Sequence, residues 1–125
     1  MLSSRDPNSV YRSIEFDARV AAADQRELVK LCYEQLISGI NSALIAADRG
    51  DNYLKSRALT RAVSSLTALQ MGVSGDSSMA DALMTIYTAA RKAVLASVLH
   101  FDPETLKQIR ADFVEIAQTL NQTPH

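Results

Sequence analysis

Four amphipathic segments joined by very short connections constrain the fold of this chain more than any other feature. Apolar residues recur at helical spacing in each segment, and the connections consist of turn-forming residues. Connections this short place successive helices antiparallel. The sequence therefore predicts an all-α fold, an antiparallel four-helix bundle with a short N-terminal arm.

Capping residues set the expected helix bounds. Asp24, Asp51 and Asp102 are placed to act as N-caps, and Gly50 is placed to end the first helix. The predicted helices are, in order, 25–49, 52–72, 78–100 and 103–120. Residues 1–23 form the predicted arm, residues 24–121 the bundle, and residues 122–125 a frayed tail.

Two helices carry more apolar surface than a single core face needs. The first has a core stripe of Leu28, Cys32, Leu36, Ile40 and Ala43, and a second stripe of Val29, Tyr33 and Ile37 beside it. The third has a core face of Leu83, Ile86, Tyr87, Ala90, Val94 and Phe101, and its opposite, polar stripe turns apolar at Leu95, Ala96 and Leu99. The fourth shows one ordinary core stripe of Leu106, Ile109, Phe113, Ile116 and Leu120. Two interpretations stay open: helix packing buries the surplus stripes entirely, for example in a homodimer, or they form a groove that the arm or a partner segment covers.

The composition argues against several classes of protein. The net charge is −1, which gives no general attraction to nucleic acid, and the start of the chain has no apolar region typical of a secretory signal. The longest charge-free run, 62–75, is too short and too polar to span a bilayer. With a single cysteine and no signal, the expected setting is the reducing cytoplasm.

No catalytic, cofactor or metal site is expected. The two histidines, His100 and His125, lack any metal-ligand spacing, and Cys32 lies on a core stripe as a buried, inert thiol. Arg57 and Arg61 share a helix face, which favours a solvated surface over a nucleic-acid site because aromatic residues and a basic chain are missing.

The chain resembles the flagellin-export chaperones of the FliS family over about Tyr11 to Leu120. The resemblance rests on an N-terminal tyrosine, the run Glu27-Leu28-Val29-Lys30-Leu31-Cys32-Tyr33-Glu34, the Gly50-Asp51 hairpin, and the pattern of Lys55, Leu59, Ala62, Leu83, Tyr87, Leu95, Leu99 and Asp102. The strength lies in their joint order and spacing. Four departures stand out: Asp24-Gln25 replaces the usual Ser-Pro, Asp76-Ser77-Ser78 replaces a Gly-rich stretch before the third helix, Ser97-Val98 replaces a common Ala-Asn, and a late tryptophan is missing.

The resemblance implies a cytoplasmic protein that binds the C-terminal segment of flagellin. It would prevent premature polymerisation and assist delivery to the export apparatus. Whether an export-gate component or an anti-sigma factor also binds stays open, and the alternative is a structural or regulatory bundle that self-associates, for example as a homodimer. The candidate partner-binding residues are Tyr11, Ile14, Val29, Tyr33, Ile37, Leu59, Val63, Leu95 and Leu99.

Overall fold

The computed structural model describes residues 15–16 and 24–122. Four helices run through the second range: α1 (Gln25–Asp48), α2 (Asn52–Gly72), α3 (Ser78–Leu99) and α4 (Pro103–Gln122). Residues 15 and 16 are helical as well. No strand occurs in the described ranges, and the predicted all-α four-helix bundle is confirmed.

The helices begin at side-chain caps. Each predicted carboxylate accepts a hydrogen bond from the backbone N–H three residues ahead, at 2.9 Å for Asp24, 3.1 Å for Asp51 and 3.2 Å for Asp102. The Ser77 hydroxyl accepts one in the same way at 3.1 Å and begins α3, a cap that the sequence prediction did not name.

The α1–α2 connection is short because Gly50 reverses the chain. Its φ of 70° is a left-handed value that side chains disfavour. The Gly50 N–H donates to the Ala47 carbonyl at 3.1 Å, and the Asp51 N–H donates to the Ala46 carbonyl at 2.8 Å. This is a Schellman motif, which satisfies the last carbonyls of α1.

Three helix ends differ slightly from the prediction. The first helix ends at Asp48 and the third at Leu99, each one residue early, because Arg49 and His100 are the C-caps. The fourth helix continues to Gln122, one residue into the predicted tail. The remaining arm and tail positions, 1–14, 17–23 and 123–125, lie outside the described residues.

Helix α2 lies between α1 and α3, and α4 packs mainly on α1. Among the four helix pairs that make substantial contact, α3 and α4 contact each other least. The α1–α2 crossing is close because small residues meet there: a Cβ added to Gly39 would lie 3.0 Å from the Ala58 carbonyl oxygen and 3.4 Å from the Ala62 Cβ.

The core follows the predicted stripes at most positions. Leu36, Ile40 and Leu106 are fully buried, and Phe113 is 1% exposed. One stripe residue was placed wrongly, since Ile86 is 37% exposed. Cys32 is half-buried and packs against the core, as predicted for its stripe. Leu31, which the stripes left out, is 1% exposed. The errors at Ile86 on α3 and Leu31 on α1 arise because the width of an apolar arc does not by itself show which of its edges faces the core.

Candidate partner-binding surface

Three aromatic rings occupy the centre of the bundle. The hydroxyls of Tyr33 on α1 and Tyr87 on α3 share a buried hydrogen bond of 2.8 Å. The Phe113 ring of α4 lies 5.4 Å from the Tyr33 ring and 6.1 Å from the Tyr87 ring, measured between centroids. These three residues, which we call the central ring cluster, join three helices. Each buried phenol hydroxyl has the other as its hydrogen-bond partner.

The phenols of this cluster are held protonated by their surroundings. Burial, above all, raises the pKa of Tyr33, and the bond to Tyr87 adds to the effect. Burial also raises the pKa of Tyr87, with the bond to Tyr33 opposing it in part. Tyr33 is 3% exposed, so its assignment to a stripe outside the core is wrong. The ring fills the bundle centre and its hydroxyl has its partner inside the protein.

A second feature is the seam between α2 and α3. The Gln70 amide donates to the Thr88 hydroxyl at 3.0 Å, and the Arg91 guanidinium donates to the Thr67 hydroxyl at 2.9 Å. These two bonds define the antiparallel register of the two helices. Continued toward the C-terminal end of α3, the same register places Val63 opposite Leu95 and Leu59 opposite Leu99.

At this end the seam presents apolar side chains to solvent. Leu99 is 81% exposed and Leu95 is 42% exposed, while Val63 is half-buried and packs against the core. We call these three residues the α2–α3 surface. Leu59 is 1% exposed and belongs to the core, so its assignment as a residue outside the core is wrong. Leu59 is buried because it lies on the side of α2 that faces the bundle centre.

The other predicted stripe runs along the opposite side of the bundle, between α1 and α4. The Arg110 guanidinium donates to the Asn41 amide oxygen at 2.7 Å and ties these helices together. Ile37, one turn before Asn41 on α1, is half-buried and packs against the core. Val29 is half-buried near the start of the same helix.

Val29 opens onto a cavity of about 300 Å³ between four helix ends. Most of its lining is apolar, from the ends of α2 and α4 and the start of α3, and Tyr87 reaches it from the centre. The lining residues are Val29, Leu69, Gly72, Val73, Ser74, Ser77, Met79, Ala80, Leu83, Tyr87 and Leu120. The cavity therefore lies at the end of the molecule opposite the α2–α3 surface. The sequence prediction missed it because Met79 and Leu120 come together through the fold alone.

The remaining candidates, Tyr11 and Ile14, lie outside the described residues. The register of α2 and α3 thus places Val63, Leu95 and Leu99 on one side of the bundle, and Val29 and Ile37 lie on another side.

The basic pair on α2 has two different environments. The Arg57 guanidinium lies over the Tyr53 ring, 5.8 Å from its centroid, on the exposed side. Arg61 is half-buried and donates to the hydroxyls of Ser38 at 3.4 Å and Ser42 at 3.3 Å on α1. The prediction of a solvated face is therefore wrong for Arg61, which bridges two helices.

One helix, α3, is long and apolar enough to cross a membrane by length and composition. An 18-residue stretch of this helix has a mean hydropathy of 1.3, and 22% of that stretch is buried inside the protein. Core helices can pass the same test, but the low burial shows that much of this apolar surface faces outward. The sequence prediction missed it because it considered charge-free runs, and α3 carries Arg91 and Lys92.

The remaining candidates for reactive or metal-binding chemistry are the Cys32 thiol and any cluster of metal-ligating side chains. Burial raises the pKa of the Cys32 thiol, which keeps it protonated and weakly nucleophilic. Residues 15–16 and 24–122 contain no group of three or more metal-ligating side chains. The arrangement offers apolar contact and a few polar anchors, which suits binding of another chain.

The family model described as flagellar protein FliS matches residues 7–124, nearly the whole chain. No curated protein and no solved structure matches it.

Proposed function

This chain belongs to the FliS family, a family of flagellar export chaperones for flagellin, and we propose that it binds the C-terminal segment of flagellin in the cytoplasm. In this role it keeps the segment from polymerising prematurely and assists its delivery to the export apparatus. A chaperone role needs an accessible apolar surface rather than a reactive group.

The observation that supports this proposal best is the exposure of Leu95 and Leu99 beside half-buried Val63. An apolar surface open to solvent at the end of a helix seam fits an incoming helix or extended segment. Leu99 is 81% exposed and so contributes little to the packing of the bundle itself. A partner that covers it would gain roughly 1.5–3 kcal/mol from a fully buried leucine.

Binding a disordered segment requires more than one such contact. Ordering the segment costs about 2–5 kcal/mol or more, which the apolar contacts must offset. The side between α1 and α4, with Val29 and Ile37, and the cavity beside it offer further apolar contact for the same segment. A segment held along these surfaces is unavailable for assembly into a filament.

Co-purification with the flagellin of the same organism tests this proposal. Full-length flagellin should remain bound to the chain through gel filtration, and flagellin without its C-terminal segment should not. Equal retention of both forms would contradict the assignment of the segment. Retention of neither, together with a stable homodimer of the chain, would favour self-association through the apolar faces.

A further inference from the structure

Charge is unevenly distributed among the four helices. Helices α2 and α3 together hold five basic residues and one acidic residue: Lys55, Arg57, Arg61, Arg91 and Lys92 against Asp81. Helices α1 and α4 each hold three acidic and two basic residues. The overall charge of −1 therefore conceals a basic half and an acidic half.

Of these basic residues, Arg91 lies on the seam that leads to the α2–α3 surface, whereas Arg61 faces α1. Lys92 is exposed and lies three residues before Leu95 and seven before Leu99, which puts it on the same helix face as both. Asp81 lies eleven residues before Lys92, about 16 Å along the helix at the usual rise.

The first carboxylate after the end of α3 is engaged in capping the next helix. Asp102 follows the end of α3, and its two oxygens accept hydrogen bonds from the Thr105 N–H at 3.2 Å and the Thr105 hydroxyl at 2.6 Å. These bonds direct the carboxylate to the start of α4. The apolar residues of the surface are therefore bordered by a cation that no described carboxylate on the same helix face neutralises.

We propose that the α2–α3 surface selects an amphipathic helical segment whose apolar stripe is flanked by carboxylates. This inference rests on the proposed function, and it gives that surface a preference that apolar contact alone would not provide. Carboxylates beside the incoming stripe meet Lys92 and the positive field of α2 and α3, whereas lysines there are repelled. These charges affect which segment is selected and how fast it associates more than they affect the total affinity.

An anionic membrane would satisfy the same charge but not the same geometry. Tyr87, Val94 and Ser97 of α3 are 0–2% exposed against the rest of the bundle, so the helix presents one side and cannot insert as a whole. The partner that the structure favours is therefore a protein segment, and a lipid surface is a competing outcome of the test.

Two designed amphipathic peptides of equal length and identical leucine stripe test the charge preference. One carries glutamates beside the stripe and the other carries lysines. We expect the glutamate peptide to bind about ten-fold more tightly at about 0.05 M salt, and to lose most of that advantage at about 0.5 M salt because the charges are screened. Equal binding of the two peptides at low salt, or recruitment of the protein by anionic vesicles but by neither peptide, would overturn the proposal.

Variants locate the preference. Lys92→Glu should weaken binding of the glutamate peptide by about five-fold or more, since an attraction between opposite charges becomes a repulsion between like charges. Lys107→Glu makes the same change of charge on α4 and is the matched control, expected to bind within about two-fold of wild type. Equal losses in the two variants would show a general charge effect and contradict selection at this surface. Thermal unfolding of both variants checks that the bundle is intact.

The C-terminal segment of flagellin, used as a third probe, separates this inference from the proposed function. Failure of that segment to bind, with the glutamate peptide still preferred, would refute the proposed function and leave the surface preference standing. Binding of the segment that ignores both salt and Lys92→Glu would refute the preference and leave the proposed function standing.

Discussion

Leu99 shows how a single side chain can separate binding from folding. It lies on the helix face that begins with polar Asp81 and Thr85, and it is 81% exposed. Leu99→Asp should therefore leave thermal stability nearly unchanged, apart from roughly 0.3–1 kcal/mol for a negative charge near a helix C-terminus. Flagellin binding measured by calorimetry should fall clearly.

Leu54→Asp is the matched control for this change. Leu54 is 51% exposed on the first turn of α2, where its N–H is capped by Asp51, and it lies away from the α2–α3 surface. The control should bind normally. Should Leu99→Asp also stay folded and bind normally, the end of α3 lies outside the binding surface.

Gly39 tests the closeness of the α1–α2 crossing. Gly39→Ala gains about 1 kcal/mol of helix propensity, but the new methyl group would lie 3.0 Å from the Ala58 carbonyl oxygen, which is backbone and cannot move aside. We expect a net loss of about 1–2 kcal/mol in the free energy of unfolding by denaturant titration.

Gly72→Ala provides the comparison for Gly39. A Cβ at Gly72 would meet the Gln25 amide nitrogen at 3.6 Å, an ordinary contact, so this change should be neutral or stabilising. If both alanine variants gained stability equally, the two helices would be free to separate at Gly39 and the crossing would not limit the packing.

At the residue scale, the sequence predicted the exposure of Leu99 but not the burial of Tyr33. A leucine on an otherwise polar face is visible from periodicity alone, because no core residue shares that direction. Tyr33 lies next to the core stripe of α1, and its burial depends on Tyr87 and Phe113, which are distant in sequence. A helix pattern cannot show how far a core extends around its edge.

At the element scale, α4 depends on the central ring cluster. Phe113 is 1% exposed and contacts both tyrosine rings, while α4 makes its main contact with α1 and little with α3. Phe113→Ala should lower the free energy of unfolding by about 3–5 kcal/mol, because the lost ring leaves a cavity between three helices.

Val114→Ala, one residue along α4, is the comparison for Phe113. Val114 is 39% exposed, so we expect a loss of less than about 1 kcal/mol in the same denaturant titration. A similar small loss for Phe113→Ala would mean that the fourth helix does not dock on this cluster.

Helix bounds were predictable to within a residue or two because the caps are local. Asp24, Asp51 and Asp102 need only the N–H three residues ahead, and Gly50 needs only its own freedom of φ. The cavity beside Val29 was not predictable, since four helix ends must meet before it exists. The register of α2 and α3 is likewise set by Gln70–Thr88 and Thr67–Arg91, pairs with no mark in the sequence.

At the scale of the whole molecule, the Tyr33–Tyr87 bond links α1 to α3 across the bundle centre. The pKa of each phenol is raised in the folded protein, mainly by burial. Above the unfolded value of about 10, the unfolded chain loses these protons and the folded protein keeps them. The folded state then binds more protons, so the free energy of unfolding must fall as pH rises.

Denaturant titrations from neutral to strongly alkaline pH should therefore show stability that holds to about pH 9 and declines above about pH 10, by at most about 2.7 kcal/mol per pH unit for two phenols. A Tyr33→Phe, Tyr87→Phe double variant should lose most of this decline, and at neutral pH it should be nearly as stable because both hydroxyls leave together. Tyr53→Phe removes a phenol that is 67% exposed and should keep the wild-type profile. An unchanged alkaline decline in the double variant would show that other groups cause it, and that the central phenols ionise as readily in the folded protein as in the unfolded chain.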